Sequence, residues 1–158
     1  MAGRRNGMPK RDCSESEILN SLACGAIKRK TDTEESKMAL DTTEQTEKIL
    51  LHHWQAFGAG DVEAIMADYA DDAMLITSDG TLKGLAQIRS LFEKILANMF
   101  PADKTSLNLT KQVVEGDVAY ILWSGNSPFY NAPFATDTFI MRNGKIVAQT
   151  FAAQLETK

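Results

Sequence analysis

The chain has 158 residues, 44 % of them hydrophobic and 24 % charged, with a formal net charge of −4 and a pI near 5.2. That length and apolar content suit one domain with a real core plus at most a tail, and the acidic balance gives no general attraction to phosphate backbones or anionic lipid. No apolar run approaches the roughly 18 residues of a membrane helix, and the polar, basic N-terminus lacks the apolar stretch of a signal peptide, so a cytoplasmic protein with no nucleic-acid and no membrane partner is expected.

In chain order, residues 1–41 read as a mostly disordered polar and basic leader. Seven Lys/Arg stand against three acids between Met1 and Lys30. The one apolar cluster, Ile18, Leu19, Leu22 and Ala23, buries too little to offset chain entropy beyond a helical turn or two around Glu15 to Ile27. Met38 is a second candidate start, and the leader is either inert or a docking arm. Cys13 and Cys24 lie in it without the spacing of a metal site and are expected to be free thiols.

The domain proper, 42–158, opens with Thr42-Thr43-Glu44-Gln45, which has the form of a capping box. Ile49, Leu50, His53, Trp54 and Phe57 then recur at helical spacing, so a first helix is expected over roughly 43–58, ended by Gly58 and Gly60. Asp61 is the natural N-cap of a short second helix with Val62, Ile65, Met66 and Tyr69 on one face, finishing near Ala70. Ala73 to Thr77 reads as a strand, Ser78-Asp79-Gly80 as a turn, and Thr81 to Lys83 as the returning strand. Leu85, Ile88, Leu91, Phe92, Ile95, Leu96 and Met99 form a strong amphipathic helix that Pro101 closes.

From Thr105 the period changes from 3.6 to 2, and turn signals at Glu115-Gly116-Asp117, around Ser124 to Pro133 and at Asn143-Gly144 divide four long antiparallel strands. A two-residue turn at Asn143-Gly144 sets Met141 opposite Ile146, Phe139 opposite Ala148, Asp137 opposite Thr150 and Ala135 opposite Ala152 on one face. The class is α+β: a cone-shaped curved antiparallel sheet with three N-terminal helices around an apolar pocket.

Four local strings carry a resemblance: Ala59-Gly60-Asp61-Val62-Glu63-Ala64-Ile65, Tyr69-Ala70-Asp71-Asp72-Ala73, Leu82-Lys83-Gly84, and Phe139 to Ile146. In this order and spacing, the chain from about 44 to 155 resembles the nuclear-transport-factor-2-like superfamily of SnoaL-like polyketide cyclases, ketosteroid isomerases and scytalone dehydratase. Such a fold hosts many activities, so it fixes the architecture and leaves the chemistry to the site. The resemblance also implies a homodimer paired through the convex sheet face, where Thr136, Thr138, Ile140, Val147 and Gln149 mix polar and apolar character.

Asp137 would point inward with Phe139 and Met141, and burial should raise its pKa. The resemblance places it where ketosteroid isomerases carry a hydrogen-bond-donating aspartic acid, and places His53 where they carry the tyrosine that shares the oxyanion. His53 can donate or act as base; the plainer readings are a rim carboxylate and a packing histidine. Thr77 occupies the position of the family's proton-shuttling aspartate and cannot replace it, while Asp79 is more readily a turn former. Trp54, Tyr69, Thr77 and Phe92 are expected to line the ligand site. Trp123, Tyr130, Phe139 and Met141 complete it, although aromatic and methionine stripes also make ordinary cores.

No cofactor and no metal are expected, since two adjacent histidines do not make a metal site and no Gly-rich phosphate loop follows a strand. The function read from the sequence is therefore a pocket protein for a small apolar or aromatic ligand. One version is an isomerase, cyclase or dehydratase that lacks the usual aspartate base and works by acid/base and oxyanion chemistry on a carbonyl compound. The other is a non-catalytic ligand-binding or dimerisation module.

Overall fold

The computed structural model describes residues 15–158, with side chains described from Glu34 onward. Cys13, the side chain of Cys24, and the side chains of the leader's apolar and basic clusters lie outside the described residues. The compact unit that holds the sheet is Ala39–Lys158. Its elements are the C-terminal part of α1 (Glu15–Ala59), α2 (Val62–Ala67), β1 (Tyr69–Thr77), β2 (Gly80–Lys83), α3 (Leu85–Asn98), a 3₁₀ turn at Ala102–Lys104, β3 (Ser106–Glu115), β4 (Val118–Asn126), β5 (Tyr130–Arg142) and β6 (Lys145–Thr157).

The first helix has no start at the expected capping box. Helical backbone is continuous from Glu15 to Ala59, and Thr43 instead donates its hydroxyl to the Ala39 carbonyl one turn back (3.0 Å) while accepting from Gly116 N (3.1 Å). Thr46, almost fully buried, donates to Gly116 O at 2.8 Å. These threonines pin α1 to the β3–β4 turn, where Gly116 supplies a positive φ of 57°. Leu50, His53 and Ala56 are buried on the inward face of the helix.

α2 is a single six-residue piece capped by Asp61, which accepts from Ala64 N at 3.0 Å. It stops at Ala67, so Tyr69, expected on its apolar face, is the first residue of β1. Asp68 between them closes the helix, and its carbonyl accepts from Ile146 N at 2.7 Å, tying the end of α2 to the start of β6. α3 buries Ile88, Phe92 and Leu96, one side chain per turn, as its spacing requires.

The six strands form one sheet in the order β2-β1-β6-β5-β4-β3, antiparallel except where β1 runs parallel to β6. Asn143 and Gly144 carry the positive φ values, 51° and 74°, of the expected two-residue turn. Met141 pairs with Ile146 as the turn demands, but the ladder then slips: Ile140 pairs with Ala148, Phe139 with Gln149, Asp137 with Phe151 and Ala135 with Ala153. Val147 is the extra residue of a β-bulge, and one extra residue turns every following side chain of β6 to the opposite face. Gln149 and Phe151 therefore point inward, where Ala148, Thr150 and Ala152 were expected as partners, and Gln149 leaves the convex face on which the regular register had put it. Further bulges occur in β3 near Thr110 and in β5 near Pro133 and Phe134, where the pairing also shifts.

Candidate functional site

The concave face of the sheet, α1 and α3 enclose a cavity of about 270 Å³. Its walls are mostly rings. Trp54 lies edge-on to Trp123 with centroids 5.9 Å apart, Phe57 meets Trp123 at 5.9 Å and Phe92 at 6.2 Å, and Phe151 stacks on Trp123 at 6.4 Å. Edge-to-face and offset pairs at these separations are the favoured aromatic geometries. Polar groups sit at two ends: His53, Asp137 and Gln149 deep inside, and Thr77, Ser78 and Asp79 on the β1–β2 turn.

Asp137 is 5 % exposed and its carboxylate is held at both oxygens. Trp123 Nε1 donates to Oδ2 at 2.7 Å, and Gln149 Nε2 donates to Oδ1 at 2.6 Å. The amide is itself oriented, because the Tyr69 hydroxyl donates to Gln149 Oε1 and so leaves the nitrogen end for Asp137. Burial pushes the Asp137 carboxyl up to about 6, against the opposing pull of the Trp123 and Gln149 hydrogen bonds and of nearby His53. Burial, with the charges of Asp137 and Asp68 adding to it, likewise holds the Tyr69 phenol well above its ordinary range, so it stays a hydroxyl donor.

His53, also 5 % exposed, packs edge-on against Tyr69, Phe92 and Phe139 at 5.4, 5.9 and 5.4 Å. Its Nδ1 lies 3.3 Å from Asp68 Oδ2, close enough for an ion pair but outside hydrogen-bond geometry, and is the one buried side-chain polar atom among the described residues without a hydrogen bond. The half-exposed His52 takes the same carboxylate more directly, with Nδ1 2.8 Å from Oδ1 and 3.0 Å from Oδ2. Asp68 thus anchors two neighbouring imidazoles from behind the pocket. With Nδ1 turned to Asp68, Nε2 is the His53 nitrogen left for a guest.

Of the residues singled out from the sequence, His53, Asp137, Trp54, Thr77, Phe92, Trp123 and Phe139 all line this cavity. Three do not. Tyr69 is absent from the lining and serves as the hydroxyl that orients Gln149, Met141 is a buried core residue, and Tyr130 lies tilted against Phe100 with centroids 6.5 Å apart, outside the lining. Met141 is displaced because the inward face of β5 runs past the pocket into the packing around Ile146, its cross-strand partner. Thr77 meets the cavity, but its hydroxyl serves the turn, accepting from Asp79 N at 3.2 Å and donating to Gly80 O at 3.4 Å.

Sequence reasoning missed Gln149 and Asp68. Gln149 is brought in by the bulge, which alternation cannot show, and Asp68 acts from the C-cap of a six-residue helix, where nothing in the local pattern marks it. Among the described residues no cluster of potential ligands is arranged to hold a metal ion, and no helix is long and apolar enough to cross a membrane.

Residues 50–149 match the sequence profile of the SnoaL-like domain. Similar solved structures include an NTF-2-like protein of unknown function from Burkholderia xenovorans, 23 % identical with a TM-score of 0.60 over 72 % of this chain and 85 % of that one. A SnoaL-like protein of unknown function from Burkholderia thailandensis aligns at 18 % identity and a TM-score of 0.59 over 72 % and 97 %. A protein from Kribbella flavida, provisionally described as a ketosteroid isomerase, aligns at 16 % identity and 0.60 over 71 % and 79 %. At these identities the likeness shows the fold alone. No curated protein matches the chain.

Proposed function

We propose that this chain, which belongs to the SnoaL-like domain family, catalyses proton transfer on a small carbonyl compound with an apolar body, as an isomerase, cyclase or dehydratase would. The observation that carries the reading is a carboxylate and an imidazole lining one mostly apolar pocket, the first held by Trp123 and Gln149 and the second lying against Asp68. With its carboxyl at about 6, Asp137 is ionised about ten to one at pH 7 and is therefore the base, rather than the hydrogen-bond donor that the family resemblance suggests.

In this scheme Asp137 takes a proton from the carbon beside the carbonyl. The electron pair of the broken C–H bond becomes a C=C bond, and charge moves to the carbonyl oxygen. His53, whose Nδ1 lies against Asp68, gives a hydrogen bond from Nε2–H to that oxygen. Asp137 then returns the proton to the same or another carbon, or the enolate re-forms its carbonyl and makes a double bond to the β-carbon as the bond to a β-hydroxyl breaks, the hydroxyl taking the proton from Asp137 and leaving as water. Thr77 has no part in proton transfer, because its hydroxyl does not take a carbon-bound proton near neutrality.

The test is hydrogen–deuterium exchange at the α-carbon of a panel of small aryl ketones, followed by NMR. Exchange should rise as pH passes about 6, where Asp137 ionises. Asp137→Asn and His53→Gln should each slow it on the order of a hundredfold; exchange indifferent to both substitutions would sink the proposal. A pocket that binds without reacting is favoured by Thr77 standing where the family resemblance puts an acid, and it would show guest binding with no exchange. We further propose a homodimer through the outer face of Thr136, Thr138 and Ile140, checked by light scattering at two concentrations, and a cytoplasmic location, checked by cell fractionation.

A further inference from the structure

We propose that the guest of this pocket carries a positive charge: a compound with an aromatic or aliphatic body, a carbonyl group and a protonated amine close to it. This rests on the pocket being the ligand site described above, and it adds the substrate class. The physical ground is an imbalance of charge. The lining contains two carboxylates, Asp137 and Asp79, and no lysine or arginine. The only other ionisable lining group is His53, which shares the Asp68 carboxylate, 3.3 Å from its Nδ1, with His52.

Asp137 itself is held by two neutral donors, Trp123 and Gln149. Neutral N–H groups satisfy its lone pairs without neutralising its charge, which nearby His53 offsets only in part against the cost of burial, a situation that favours a paired cation. The walls suit that cation too, since the faces and edges of Trp54, Phe57, Trp123 and Phe151 surround the same space, and ring faces attract ammonium groups. A carboxylate guest would meet two like charges. A cationic nitrogen beside the reacting carbon would also make its C–H more acidic, which fits a base as weak as a carboxylate.

Other titratable groups near Asp137 are His53 on α1 and Tyr69 on β1, with Asp68 and His52 behind them and Asp79 at the mouth. β4 and β6 present the non-titrating Trp123 and Gln149, and α3 contributes only Leu91, Phe92 and Ile95 to the lining. Asp137 is therefore the group whose ionisation near pH 6 should govern the preference for a cation.

Three matched, unreactive probes test this: naphthylmethylamine, naphthylmethanol and naphthoic acid, titrated calorimetrically against the whole protein at pH 8 and at pH 5. At pH 8 the amine should bind about tenfold more tightly than the alcohol, and the acid at least tenfold more weakly. At pH 5 the advantage of the amine should shrink severalfold while the alcohol is unchanged. Asp137→Asn should abolish the advantage and Asp79→Asn should reduce it by less than threefold. Should Asp137→Asn not fold, the pH comparison in the unaltered protein decides the same point. Equal binding of amine and alcohol at pH 8, an advantage that persists in Asp137→Asn, or no binding of any probe would overturn the proposal. Charge-blind binding would leave proton transfer standing, because that reading is judged by α-carbon exchange.

Discussion

Asp137 and Asp68 are both buried carboxylates within reach of His53, and their surroundings assign them different work. Asp137 meets only neutral donors, an indole and an amide, on a strand facing an apolar hollow. Burial outweighs the pull of those donors and of His53 and lifts its carboxyl to about 6, so its ionisation is sensitive to pH in the range where proteins operate. Asp68 meets two imidazoles from consecutive residues of α1, which can become cations. The contrast teaches that burial alone does not decide what a carboxyl is suited to. What separates the two is whether the partners are dipoles or bases.

The largest expected effect is on the pH dependence of stability. Burial raises Asp137 from its ordinary 3.8 to about 6, so the folded state binds this proton more tightly than the unfolded chain does. Its contribution to stability is then complete below pH 3.8 and lost as pH rises through 6, a difference of roughly 3 kcal/mol for a shift of about two units. Asp137→Asn should flatten urea-denaturation stability between those two pH values. A curve of unchanged slope would show that folding does not raise the Asp137 carboxyl above its ordinary range.

Next comes Asp68→Ala, which strands His53 Nδ1 in the core with no carboxylate near it. Because His52 is half exposed and can turn to water, the loss should stay near 2 kcal/mol, below that for a fully buried pair. Proton exchange should fall with it, since the imidazole is no longer aimed. Stability lost with exchange intact would separate a structural Asp68 from an orienting one.

Tyr69→Phe removes the hydroxyl that fixes the Gln149 amide and should cost about 1–2 kcal/mol, the penalty of one unsatisfied buried acceptor. It also frees the amide to flip its oxygen toward Asp137, which should move the pH midpoint of exchange upward. An unmoved midpoint would mean that Gln149 holds its orientation without help. The smallest effect belongs to His52→Ala, within about 1 kcal/mol, because an exposed ion pair contributes little; exchange should change less than threefold.

Much of this arrangement is legible in the residues. The 3.6-residue spacing of Ile88, Phe92 and Leu96, the Asp61 cap and the Asn143-Gly144 turn are local features, and each is found where the pattern puts it. Alternation along β5 is enough to turn Asp137 inward with Phe139 and Met141, and helical spacing brings His53 to the same side as Leu50. Tyr69 misleads because a residue at i+7 of a helical pattern is equally the first residue of a strand, and only the parallel pairing with β6 decides between them.

The sequence by itself determined the element types, the α+β class and the inward direction of the two groups at the centre of the proposed chemistry, because those follow from short-range periodicity and backbone preference. Only the tertiary structure decided that Val147 bulges and so delivers Gln149 to Asp137, that Asp68 reaches back to two histidines of α1, and that the lining has no basic side chain beyond the His53 imidazole. Each of these depends on contacts between segments distant in the chain, whose register is fixed by packing and loop closure rather than by any local pattern.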